Sequence, residues 1–138
     1  MQGGNQEARR TAKKRVSQLE QVKTLALILV LVVSVSASGE DVASWYGEEH
    51  RGLPMANGKP FDPDKLTCAS WFYPFGTKLL VRSGSRSVVV TVTDRGPNRR
   101  FLKTKRRRII DLSRAAFARI GNLRHGLVPV SVKPLDGR

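Results

Sequence analysis

Six consecutive β-branched residues, Val88 to Thr93, run directly into Asp94-Arg95-Gly96-Pro97. No other stretch limits the possible folds as tightly. Four Val and two Thr in six positions suit a strand packed on a buried pleated surface. A Gly-Pro pair soon afterwards halts the ladder, because Pro has no N–H to contribute. The strand is therefore predicted to end at Asp94, where a rigid element meets a tight turn. A carboxylate held there is presented as catalytic and ligand-binding carboxylates are. The same Asp is equally suited to capping the turn through its own backbone.

The other elements follow from patterning. Val42 to Gly47 reads as a first strand, in which Trp45 and Tyr46 point to opposite faces, one into the core and the other free as a sugar-stacking platform. Glu48 to Pro63 is rich in Gly, Pro, Asn and charge and reads as a long functional loop, with Asn57-Gly58 as a tight turn. Asp62-Pro63 predicts the start of a one- or two-turn helix. The aromatics Trp71, Phe72, Tyr73 and Phe75 are most simply core. Lys78 to Arg82 and Arg86 to Thr93 form an antiparallel hairpin across Ser83-Gly84-Ser85. From Asn98 to Arg108 seven of eleven residues are basic, which predicts an anion-attracting loop. Ile109 to Leu112 is a short strand, Ser113 an N-cap, Arg114 to Ile120 a helix ended by Gly121, and Val128 to Val132 a last strand. Many strands with one or two short helices imply a mainly β fold, a small closed or nearly closed barrel.

Not all of the 138 residues are available to that barrel. Arg9, Arg10, Lys13, Lys14, Arg15 and Lys23 precede an apolar run, Leu25 to Val33, and then small residues including Val35 and Ala37. That is the pattern of an export signal, residues 1–37, cleaved after Ala37 to leave a domain of residues 38–138. An uncleaved anchor and a buried helix are the alternatives, although the run is shorter than the roughly 20 residues of a membrane span. The export reading leaves no membrane span in the mature domain. The leader holds six of the 25 basic and two of the 11 acidic residues, so the remainder carries 19 against 9, a net charge of +10. For an exported domain the matching partners are anionic wall polymers or headgroups rather than nucleic acid, unless the charge serves solubility alone. One cysteine, Cys68, cannot pair internally and is expected as a small buried hydrophobe. With no cysteine near the cleavage point, no lipid anchor is expected.

Six motifs stand in order: A-S-W-Y-G (43–47), A-N-G-K-P-F-D (56–62), L-T-C-A-S (66–70), P-F-G-T (74–77), T-D-R-G-P (93–97) and I-I-D-L-S-R-A-A-F (109–117). Together they resemble the rare lipoprotein A family of bacterial cell-wall proteins, from Ala43 to about Val132. The resemblance implies a six-stranded double-psi β-barrel, a fold also found in expansins and barwin-like domains. It further implies a peptidoglycan lytic transglycosylase, a carbon–oxygen lyase that prefers glycan strands lacking stem peptides. By position, the family's D-R-G-P aspartate falls on Asp94, the expected catalytic residue, and its I-D-L-S aspartate on Asp111. The chain departs at Lys59, where better-studied members have Glu, and at Ser70, where they have His.

Substrate contacts are expected from Trp45, Tyr46, Asn57, Arg95, Arg106, Arg107 and Arg108, with Glu48, Glu49 and His50 as alternative proton donors. No metal-ligand cluster, P-loop or dinucleotide fingerprint is present, so neither metal nor cofactor is expected. The expected setting is periplasmic or extracytoplasmic, as a monomer on peptidoglycan. The competing reading is a non-catalytic, expansin-like wall-binding barrel.

Overall fold

A computed structural model describes residues 4–33 and 40–136, with backbone alone for 22–33. The chain divides into two units, Met1–Ser38 and Gly39–Arg138. The first contains one helix, α1, Gly4–Val33. Among the described residues no helix is long and apolar enough to cross a membrane. The expected cleavage position after Ala37 lies outside the described residues.

The second unit has the strands β1 (Glu40–Tyr46), β2 (Thr67–Ala69), β3 (Lys78–Ser83), β4 (Arg86–Asp94), β5 (Arg106–Ser113), β6 (Val128–Pro129) and β7 (Ser131–Pro134), with one α-helix, α2 (Arg114–Ile120), and three single 3-10 turns. They form a single sheet in the order β6-β1-β5-β2-β4-β3-β7. Its two edges are consecutive pieces of the expected last strand. Only Val130 separates them, and its N–H donates to the Asp41 carbonyl at 2.9 Å. One extended segment thus pairs with β1 at one end and β3 at the other, which closes the sheet into a barrel of six strands. Closure leaves no unpaired edge for another chain to extend.

Val42, Leu79, Val81, Val90, Val92, Ile110 and Leu112 fill the barrel. Alternation in β4 is clean: Val88, Val90 and Val92 are buried, while Val89 is exposed. One end is closed by α2, whose Ala116, Phe117 and Ile120 join the core. Ser113 caps that helix by accepting from the Ala116 N–H, and Gly121 ends it. Burying Phe117 completely contributes about 2–3 kcal/mol of transfer free energy.

Three expectations are corrected. Asp62-Pro63 opens a single turn rather than a helix. The Asp62 carboxylate accepts from the Asp64 N–H at 3.0 Å, and Thr67-Cys68-Ala69 becomes β2, drawn into the ladder between β4 and β5. Backbone pairing on both sides outweighs the weak local preference for helix. Arg106, Arg107 and Arg108 do not extend the basic loop; they begin β5, opposite Glu40, Asp41 and Val42 of β1. The aromatic cluster is not core either: Trp71, Phe72 and Phe75 are 38%, 59% and 42% exposed, and only Tyr73 packs against the barrel interior.

Candidate active site

Strand register brings the two family aspartates together. Ala69 of β2 pairs with Asp94 of β4 on one side and with Asp111 of β5 on the other, and Asp111 pairs in turn with Ser44 of β1. Four neighbouring strands therefore contribute one row, Ser44-Asp111-Ala69-Asp94, with the aspartates two strand spacings apart, about 10 Å. Gly96 runs directly over this row. A Cβ at residue 96 would lie 3.2 Å from both the Ala69 Cβ and Asp111 Oδ2, so the glycine of D-R-G-P is required by close approach.

A cleft of about 340 Å³ opens over the row, walled by Tyr46, Glu49, His50, Met55, Phe61, Asp94, Arg108 and Asp111 among others. Asp94 Oδ1 accepts the Ala56 N–H at 2.9 Å and the Arg95 N–H at 2.8 Å. The strand end is thereby tied to the long loop. Among the described residues no donor reaches its other oxygen, Oδ2. Asp111 is engaged more fully: its Oδ1 accepts from the Ser44 hydroxyl and, at 3.0 Å, from Arg108 Nε. That ion pair is mostly buried, the side chains being 29% and 16% exposed.

Tyr46 forms one wall, with its ring stacked on Phe61 at 4.2 Å and edge-on to His50 at 5.7 Å. Its hydroxyl is buried and has no hydrogen-bond partner among the described residues. Burial, and then the charge of Asp94, push the phenol above its ordinary value, so it remains a neutral donor. Trp45 points the other way as expected: it packs on Phe117 at 6.4 Å and its indole N–H donates to the Leu123 carbonyl at 3.1 Å. Trp45 thus packs against the core while still bordering the cleft, and Tyr46 forms the cleft wall.

Arg95 also borders the cleft, and the other expected residues are scattered. The Arg95 guanidinium donates to the Ser70 and Tyr73 carbonyls at 2.8 and 2.9 Å and lies 3.9 Å from the Phe75 ring centroid. Its charge clamps the 70–75 loop. Arg106 and Arg107 pair with Glu40 and Asp41 at 3.1 and 2.6 Å. Arg106 lies five residues along β5 from Asp111, about 16 Å away, and only Arg108 of the three reaches the cleft. Asn57 holds its own turn, accepting from the Lys59 N–H at 3.0 Å. It lines a separate depression with Lys59, Phe75 and Thr93. Ser70 is buried, with its hydroxyl accepting the Phe72 N–H at 3.2 Å and its own N–H donating to the Asp94 carbonyl at 3.1 Å.

Of the alternative proton donors, Glu48 and Glu49 are poorly suited to that role. Hydrogen bonds and charge from Arg51 hold the Glu48 carboxyl below its ordinary range. Backbone N–H groups, with His50 beside them, hold Glu49 down likewise. Both are carboxylates at neutral pH. Sequence reasoning missed Ser44 and Phe61. Ser44 shares the alternation Val42-Ser44-Tyr46, which placed it on the face of Tyr46, and Phe61 was the one aromatic in the polar loop.

The lytic transglycolase family model matches residues 39–132. The chain belongs to this family. The endolytic peptidoglycan transglycosylase RlpA of Campylobacter jejuni is 36% identical over 104 residues, 74% of this chain and 36% of that protein. An uncharacterized protein of Synechocystis is 40% identical over 95 residues, 67% of this chain and 94% of its own length. The chain spans about a quarter to two fifths of the length of other curated relatives that it matches. Among solved structures, the Streptomyces papain inhibitor is 27% identical with a TM-score of 0.51, covering 67% of this chain and 88% of the inhibitor. A Clavibacter michiganensis expansin in complex with cellohexaose is 19% identical, with a TM-score of 0.53 over 72% of this chain and 51% of the expansin. The fold is the double-psi β-barrel that the motifs implied.

Proposed function

We propose that the barrel cleaves peptidoglycan glycan strands as an endolytic lytic transglycosylase with Asp94 as its catalytic group. The observation that carries this reading is the difference between the two cleft aspartates. Glycoside hydrolysis ordinarily needs two working carboxyl groups, one for the leaving oxygen and one for attack or for water. Here Asp111 is neutralised by Arg108, and Asp94 alone is both fixed and open toward the cleft. One carboxyl group is enough when the muramic sugar's own 6-hydroxyl is the nucleophile. Asp94 gives its proton to the leaving glycosidic oxygen as the C1–O bond breaks. It then takes the proton of the 6-hydroxyl as the 1,6-anhydro bond forms, so no water is consumed and the proton count balances.

The same reading makes residues 1–37 an export leader and places the domain outside the cytoplasm as a monomer. The names of the curated relatives support the extracytoplasmic setting. A second reading, a wall-binding barrel without cleavage, is favoured by Lys59 and Ser70. The first is exposed and lines a different depression, and the second is a buried turn cap, so neither supplies a second proton-transfer group to the cleft. The deciding experiment is chromatography of peptide-free glycan strands after incubation with the protein. Anhydromuramoyl ends are expected. Unaltered strands that nevertheless co-sediment with the protein decide for the binding barrel.

A further inference from the structure

Residues 52–61 leave the barrel as a narrow ribbon. Its two arms are joined by the Gly52 N–H on the Phe61 carbonyl and the Phe61 N–H on the Leu53 carbonyl, both at 2.9 Å, and its turn is closed by the Met55 N–H on the Lys59 carbonyl at 2.8 Å. Of these residues only Met55 and Phe61 are buried, and neither joins the barrel core. The cleft depends on the ribbon all the same, because Leu53, Pro54, Met55 and Phe61 line it. At the tip the Ala56 N–H donates to Asp94 Oδ1 at 2.9 Å and the Asn57 N–H to the Thr93 carbonyl at 3.3 Å. A segment with so little buried apolar surface takes its position from what holds its ends.

At the base of the ribbon one guanidinium joins three carboxylates. Arg51 Nε and Nη2 donate to the two Glu48 oxygens at 2.7 and 2.8 Å, Nη2 also donates to Asp64 at 2.8 Å, and Nη1 to Asp62 at 3.3 Å. Glu48 precedes the ribbon while Asp62 and Asp64 follow it, so these contacts draw its two ends together. The far end is fixed to the barrel. Arg114, the first residue of α2, donates to Asp64 at 2.6 Å and lies 3.3 Å from Glu48, and the Ala115 N–H donates to the Pro63 carbonyl at 3.0 Å. Hydrogen bonds from Arg51 are the first cause that holds the Glu48 and Asp64 carboxyls below their ordinary range. A single exposed ion pair contributes little, whereas a bidentate fork within a network holds a defined geometry. Without Arg51, three carboxylates face one another with Arg114 alone among them.

We propose that Arg51 is a positioning residue for cleavage: by closing the base of the ribbon it fixes the Ala56 N–H on Asp94 Oδ1 and so aims Oδ2 into the cleft. The inference rests on the reading of Asp94 as the catalytic group. An oxygen that already accepts two N–H groups is a poor place for a proton, so the transferable proton belongs to Oδ2, where the glycosidic oxygen meets it. A ribbon released at its base carries Ala56 away, leaves Oδ1 with the Arg95 N–H alone and lets the carboxyl group turn. Arg51 does not line the cleft, so its effect reaches the chemistry through Asp94 and not through a contact with sugar.

The test uses the full chain with Arg51→Gln, which removes the charge, and with Arg51→Lys, which keeps the charge without the fork. Two readouts are taken: water exchange of the Ala56 amide, measured by NMR, and kcat and KM for release of anhydromuramoyl ends from glycan strands. Urea titration verifies that each variant is folded. In Arg51→Gln the Ala56 amide is expected to exchange about tenfold faster or more, while the amides of β4 keep their protection. The expected fall in kcat is about tenfold or more, with KM within about twofold, since a misplacement of about 1 Å remote from the chemistry is sufficient for about 10²-fold. Arg51→Lys is expected to recover part of both. Unchanged Ala56 exchange overturns the inference. So does faster exchange with kcat unchanged, an effect confined to KM, or exchange that quickens throughout the barrel. If the unmodified protein cleaves nothing, the catalytic reading fails, whereas faster Ala56 exchange in Arg51→Gln still upholds the coupling of Arg51 to Asp94.

Discussion

Asp94 and Asp111 flank the same alanine, and their surroundings give them opposite tasks. Asp111 accepts from Ser44 and Arg108 beneath the Gly96 backbone, so its charge is balanced inside the wall. Asp94 accepts two backbone N–H groups on one oxygen and presents the other to the cleft. A paired, mostly buried carboxylate is costly to alter because its partner is left uncompensated. A rim carboxylate held by backbone can be changed with little effect on folding. One register row thus supplies a structural acid and a chemical one.

The largest expected effect breaks the chemical side of that comparison. Asp94→Asn keeps the acceptor oxygen for Ala56 and Arg95 and removes the transferable proton. Release of anhydromuramoyl ends should fall by about 10²-fold or more, with glycan affinity nearly unchanged. Persisting cleavage assigns the proton transfer elsewhere. On the structural side, Asp111→Asn leaves Arg108 without its counter-charge. It should lower unfolding free energy by about 1–3 kcal/mol in urea titrations, more than Asp94→Asn does. A stable Asp111→Asn protein that no longer cleaves inverts the assignment.

Gly96→Ala tests the same corner without touching a charge. The new Cβ meets Ala69 and Asp111 at 3.2 Å, and overpacking of this kind costs about 1–3 kcal/mol. A thermal midpoint equal to that of the unmodified protein removes close approach as the reason for this glycine. The smallest effect is read at Cys68, next to Ala69. Burial, and then the Asp111 charge, push its thiol up to about 12. The folded value lies above the unfolded one, so its contribution to stability is complete below about pH 9 and is lost as pH rises toward 12. Thiolate absorbance should therefore appear late in the native protein. It should appear somewhat earlier in Asp111→Asn, where the secondary cause is gone; an unchanged titration denies that coupling.

Much of the scaffold was legible in the chain. The Val-Thr run of β4, the Ser83-Gly84-Ser85 hairpin and the Ser113-capped helix are each set by neighbours within a few residues, through side-chain branching, turn chemistry and capping. The Asp94 strand end was legible for the same reason. Its companions Ser44 and Phe61 were less so, because parallel pairing joins residues far apart in the chain, as β1 with β5 and β2 with β4.

The errors share that cause. Thr67 to Ala69 has no strong preference of its own, and becomes a strand only because β4 and β5 leave a place between them. Arg106 and Arg107 read as loop cations until β1 brings Glu40 and Asp41 opposite them. Trp71 and Phe72 read as core because hydrophobicity alone does not say which side of the barrel wall a loop covers. The sequence by itself determined the strands other than β2, the ends of α2, the family and the carboxylate at the strand end, all from local preference and motif order. Only the tertiary structure decided which aspartate is neutralised, which arginines remain without a carboxylate and which aromatics face solvent, because each depends on partners that closure of the barrel brings together.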